Sequence, residues 1–149
     1  MNALDVARRE KDSRTLKKLM KQRKEEEEKK RLTERYNNLV DVARKIFQEF
    51  DGINGLSARI NVVSNWQNTC ELEDKDGEVI AYAEVKWVTW DDPNVDYEML
   101  HEDYTISWKV VSQETRHDGS CWHNVETSGH AFTEKELIDG FGKAMGEYV

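Results

Sequence analysis

Residues 59–87, RINVVSNWQNTCELEDKDGEVIAYAEVKW, decide the fold. Over 59–74 the even positions Ile60, Val62, Trp66, Cys70 and Leu72 are apolar, while Arg59, Asn61, Asn65, Gln67, Thr69, Glu71 and Glu73 are polar. A period of two is the signature of a half-buried strand. Asp76-Gly77 supplies a two-residue hairpin turn of the primed type, which sets Cys70 opposite Ala83 and Trp66 opposite Trp87. One face then collects Val79, Ala81, Ala83, Val85 and Trp87 together with the even residues of the first strand.

The pattern repeats downstream. Tyr104, Ile106, Trp108 and Val110 alternate with polar residues, and Asp118-Gly119 is a second two-residue turn that places Ser112 opposite Val125 and Val110 opposite Thr127. The inner face continues through Cys121, His123 and Val125. Between the hairpins lies an acidic loop, DDPNVDYEMLHED, from Asp91 to Asp103, holding the only proline. After the last strand, Thr133 and Glu136 read as a capping box and Phe132 with Leu137 as a hydrophobic staple. They open a helix whose apolar stripe is Leu137, Ile138, Phe141, Ala144, Met145 and Tyr148.

Upstream, no Pro or Gly occurs before Gly52. From Leu32 the apolar residues Tyr36, Leu39, Val40, Ala43, Ile46, Phe47 and Phe50 recur at three or four, the stripe of a packed helix, and Asp51-Gly52 stops it. Residues 21–31, KQRKEEEEKKR, contain no apolar residue but pair Glu25, Glu26 and Glu27 with Lys29, Lys30 and Arg31 four positions on. Residues 4–20 carry few apolar positions and a polar stretch that frames a bend at Ser13.

The predicted fold is α+β: a two-layer sandwich of a four-stranded antiparallel meander with both helices on one face, in the order α-β-β-β-β-α. A helix of about 45 residues is ~68 Å long, against a radius of gyration near 13 Å for a 100-residue body, so a charged N-terminal helix should protrude. The expected division is an arm at 1–31 and an acidic domain at 32–149. The opposite sheet face should be open and carry Tyr82, Trp90 and Trp122.

Charge is the most informative feature. The net value of −8 conceals nine Lys or Arg against three acids in residues 1–24, and seven basic against twenty acidic side chains in residues 51–149. The arm favours polyanions, and the body attracts basic protein surfaces. No apolar run reaches the ~20 residues a bilayer span needs, and MNALDVARREKDSR has no signal-peptide core, so a cytoplasmic protein without membrane contact is expected. In a reducing compartment Cys70 and Cys121 should remain thiols.

Chemical motifs are weak. His117, Cys121, His123 and His130 are the best metal candidates, but without a paired C-x-x-C or H-x-x-x-H knuckle no metal is expected. Asp92, Asn94, Asp96 and Glu98 alternate like the start of a calcium loop, yet Tyr97 stands where Gly is required and Asp103 replaces the bidentate Glu. No third residue orients Cys121 and its histidines for nucleophilic attack, and neither a phosphate loop, a G-x-S-x-G elbow nor a dinucleotide fingerprint occurs. The expectation is a protein without enzymatic activity or cofactor.

An acidic body of this size has another use, since dense carboxylates imitate phosphate spacing. In size and charge alone the chain resembles small inhibitors of nucleic-acid enzymes, many of them from phages. The expected function is therefore inhibition or modulation of a partner by occupying its basic surface. The contact would use Asp91, Asp92, Asp96, Glu98, Glu102 and Asp103 with Tyr82, Trp87, Trp90 and Trp122 as aromatic anchors. The alternatives give the arm the leading role. It would bind a neighbouring subunit, a second copy included, or tether nucleic acid through Arg8, Arg9, Arg14, Lys17, Lys18, Lys21, Arg23 and Lys24.

Overall fold

The structure, a computed structural model, describes residues 2–64, 67–91, 100–115 and 122–149, with side chains for 2–60, 69–89, 102–112 and 125–149. The chain falls into two units, Met1–Arg35 and Tyr36–Val149. A single helix, α1 (Ala3–Glu49), supplies residues 3–35 of the first and continues into the second. Five strands follow: β1 (Ser57–Ser64), β2 (Gln67–Glu73), β3 (Val79–Asp91), β4 (Leu100–Thr115) and β5 (Trp122–Ala131). The chain closes with α2 (Glu134–Ala144) and a 3-10 turn at Gly146–Tyr148. The class is α+β, as expected, and the sheet is an antiparallel meander in the order β1 to β5.

The expected count of four strands is corrected to five. Residues 59–74 are not one strand: Ser64 pairs with Gln67, so the chain reverses between them. The even-position pattern fails at Ser64 and Asn68, on either side of this reversal. Trp66, expected opposite Trp87, lies outside the described residues. The expected bend at Ser13 is also corrected, because α1 runs through it without a break. Ion pairs three or four residues apart, such as Arg14 to Glu10 and Arg31 to Glu28, support a polar helix there.

The first predicted turn is different in kind. Gly77 N–H donates to the Asp74 carbonyl at 3.0 Å and Asp74 N–H to the Glu78 carbonyl at 2.9 Å, with Gly77 at φ 82°. This is a three-residue loop closed by a glycine in the left-handed region. It shifts the register by one, and a bulge just beyond shifts it back: Glu73 pairs with Val79 but Leu72 with Ala81. Cys70 therefore meets Ala83 as predicted. The bulge turns Val79 away from the inner face, leaving it 44% exposed, while Ile80 is buried. In the second hairpin Ser112 meets Val125 and Val110 meets Thr127, as the sequence implies.

Packing follows size complementarity. Across the sheet Cys70, Ala83, Trp108 and Gly129 form one row, so Trp108 occupies the room its small neighbours leave. The inner residues of β2–β5 join Leu39, Val40, Ala43, Ile46 and Phe47 of α1 and Leu137 and Phe141 of α2 in one hydrophobic cluster. Phe47 and Phe141, both fully buried, stack at 4.7 Å, and Trp108 meets Phe141 edge-on at 6.0 Å. Burying each such side chain contributes about 1.5–3 kcal/mol. Thr133 Oγ1 accepts from Glu136 N–H at 3.2 Å, the cap predicted for α2.

Candidate functional site

The predicted acidic loop contracts, because β3 extends to Asp91 and β4 begins at Leu100, and these two residues pair. Glu102 and Asp103 are strand residues opposite Thr89 and Val88, not loop residues. Asp92, Asp96 and Glu98 lie outside the described residues, as do His117 and Cys121. His123 pairs with Glu114 and His130 with Ser107. Among the described residues no group of three or more His, Cys, Asp or Glu could hold a metal ion. Cys70 is a buried free cysteine whose thiol burial pushes up to about 11, the Arg44 cation opposing the rise.

Of the four aromatic anchors, the two whose side chains are described, Tyr82 and Trp87, lie on opposite faces of the sheet. Tyr82 lies on the outer face, half-buried, with Lys109 Nζ 5.8 Å from its ring centre. Trp87 lies on the inner face, 42% exposed, edge-on to Tyr104 at 4.9 Å, which in turn meets Tyr36 edge-on at 5.2 Å. Trp90 and Trp122 belong to β3 and β5 opposite His101 and Thr115, but their side chains lie outside the description. The outer face carries paired charges: Arg59 with Glu73 at 3.1 Å, Lys86 with Glu84 at 3.1 Å and Lys109 with Glu126 at 3.4 Å.

Among the described residues there is an acidic cleft that the sequence pattern does not announce. At the β2–β3 loop Asp74, Asp76 and Glu78 join Glu147 of the C-terminal 3-10 turn around a cleft of about 470 Å³, walled by Val79, Ile80, Val111 and Tyr148. Asp74 builds the loop, its Oδ1 accepting from Asp76 N–H at 2.9 Å and Glu78 N–H at 3.0 Å. The bulge turns Val79 outward to form wall.

Tyr148 is pinned from several sides. Its hydroxyl donates to the Val111 carbonyl, its N–H to the Met145 carbonyl at 3.0 Å, and its own carbonyl accepts from Asn54 Nδ2 at 3.1 Å. Burial, then the Glu147 and Asp74 carboxylates, push its hydroxyl up to about 12, so the ring enters the cleft neutral. Four carboxylates over an apolar wall suit a long-stemmed cation. The sequence signal for the cleft is the density of acids at 73–78, around the turn glycine Gly77.

No family model matches this chain, and no curated protein or solved structure is significantly similar to it. Among the described residues no helix is long and apolar enough to cross a membrane.

Proposed function

We propose that this protein is a non-enzymatic binding protein that inhibits or modulates a partner by occupying a basic surface of it through residues 36–149. The observation that supports this reading is the cleft between the β2–β3 loop and the C-terminal turn. A lysine or arginine of the partner would lay its methylenes on Val79, Val111 and the Tyr148 ring and bring its charge to Asp76, Glu78 and Glu147. The rest of the acidic domain would steer the encounter over a longer range.

The test uses a lysine-rich peptide as the probe and amide chemical shifts of the full chain as the readout. Shifts centred on 74–80, 111 and 145–149, lost in the Asp76→Asn/Glu78→Gln/Glu147→Gln variant, are the expected result. Asp74 is left intact because it holds the loop. Shifts confined to 91–103, or unchanged by the triple variant, would remove the cleft from the mechanism.

A further inference from the structure

We propose that residues 11–24 of α1 form a binding face for the phosphate backbone of a nucleic-acid duplex. With 3.6 residues per turn, the unbroken helix places Lys11, Arg14, Lys17, Lys18, Lys21 and Lys24 inside a single wedge of about 140°. No other residue of the segment shares it. All six are exposed. The far side holds Leu16, Leu19 and Met20, exposed by 59%, 56% and 55%, along with Arg23.

The helical positions of the arm cations decide which of them share a face. Lys11 joins the set, and Arg8, Arg9 and Arg23 leave it. Arg14 pairs with Glu10 at 3.1 Å, but with side chains 79% and 59% exposed this bond yields readily to a phosphate. Among the described residues, the five lysines of the wedge make no ion pair.

The chemistry of the wedge selects its occupant. A protein interface centres on apolar residues with charge at the rim, and this face has no apolar residue. A lipid surface would have to take up Leu16, Leu19 and Met20, which would turn the lysines away from the headgroups. Single strands are held by stacking on aromatic rings, and the first aromatic residue of the chain is Tyr36. An evenly charged polyanion remains. The wedge runs about 20 Å along the helix axis, a length over which a duplex presents roughly a dozen phosphates. Five of the six cations are lysines, point charges without the fork that reads guanine edges, so binding is independent of sequence.

This inference uses residues separate from the acidic cleft, and either reading can fail alone. The experiment is fluorescence anisotropy of labelled 20-base-pair DNA and RNA duplexes with the full chain, between 50 and 200 mM NaCl. Six neutralised phosphates give a slope of log K against log salt of about −5. The Lys17→Gln/Lys18→Gln/Lys21→Gln variant should be shallower by about 3, and Arg23→Gln, on the far side, should match the parent. Far-UV circular dichroism checks that α1 persists, since Lys and Gln have similar helix propensity. The proposal is overturned by no binding at 50 mM NaCl, by a slope the triple variant leaves unchanged, or by an equal effect of Arg23→Gln. It is equally overturned if sedimentation shows the triple variant dissolving a self-association of a chain that ignores duplexes, which would assign the wedge to a second copy's acidic surface.

Discussion

Gly129→Ala should destabilise residues 36–149 by about 1–2 kcal/mol, although alanine suits a strand better than glycine does. A Cβ at Gly129 would sit 2.8 Å from Trp108 Cζ2 and 3.0 Å from Cε2. The indole has little room to retreat. It is only 6% exposed, and a Cβ at Gly140 of α2 would come within 3.0 Å of the same Cζ2. Overpacking of this kind costs about 1–3 kcal/mol, offset by about 0.5–1 kcal/mol from the lost backbone freedom of glycine. Urea unfolding of single and double variants isolates the contact. In a Trp108→Leu background the same Gly129→Ala change should become neutral or mildly stabilising, a coupling of about 1–3 kcal/mol. Two further glycines calibrate the series. A Cβ at Gly142 would meet nothing within 4 Å, so Gly142→Ala should gain up to about 1 kcal/mol of helix propensity. Gly140→Ala should fall between the two. An equal cost for Gly129→Ala in both backgrounds would refute the claim that Trp108 is wedged between β5 and α2.

Thr133→Ala should cost about 1 kcal/mol through loss of the α2 cap, measured by urea unfolding. Lys45→Ala should leave the urea midpoint nearly unchanged, because its 2.8 Å bridge to Glu134 joins side chains 65% and 42% exposed. Alkaline pH should weaken the fold in a defined window. Cys70 and Tyr148 are raised from ordinary values of 9.0 and 10.0 to about 11 and about 12, so the unfolded chain loses these protons first. Their stabilising contribution is complete below pH 9 and is lost as pH climbs through 12. The urea midpoint should fall across that range, less steeply in Cys70→Ala/Tyr148→Phe, and an identical profile for parent and variant would sink the argument.

The sheet was legible where alternation was uninterrupted. Ile106, Trp108 and Val110 face the core, and the register across the second hairpin is the one that a two-residue turn at Asp118-Gly119 predicts, although those two residues lie outside the described ones. The first hairpin was predicted with the right register for the wrong reason: a three-residue loop and a bulge cancel, and only Val79 and Ile80 between them reveal it. The reversal between Ser64 and Gln67 is hidden because the even-position pattern, although it lapses at Ser64 and Asn68, resumes at Cys70 and Leu72 in phase with Ile60 and Val62, so a hairpin imitates one long strand. The cleft was illegible for another reason. Glu147 and Val111 are far from Asp74 in sequence; the β3–β4 pairing brings Val111 beside the loop, and the closing turn after α2 brings Glu147.

The two proposed contacts differ in how salt should act on them, and this follows from the partner more than from this chain. A duplex carries condensed counterions, and each cation of the wedge that replaces one adds to a steep power-law dependence on salt. A single lysine or arginine entering the cleft carries no such atmosphere. Its attraction to Asp76, Glu78 and Glu147 is screened over a Debye length of about 8–10 Å, while its methylenes stay packed on Val79 and Val111. Raising salt from 50 to 200 mM should therefore strip duplex from the arm by roughly a thousandfold, while weakening the cleft contact far less. A cleft contact that fell as steeply would have to be a diffuse charge attraction without a seated side chain.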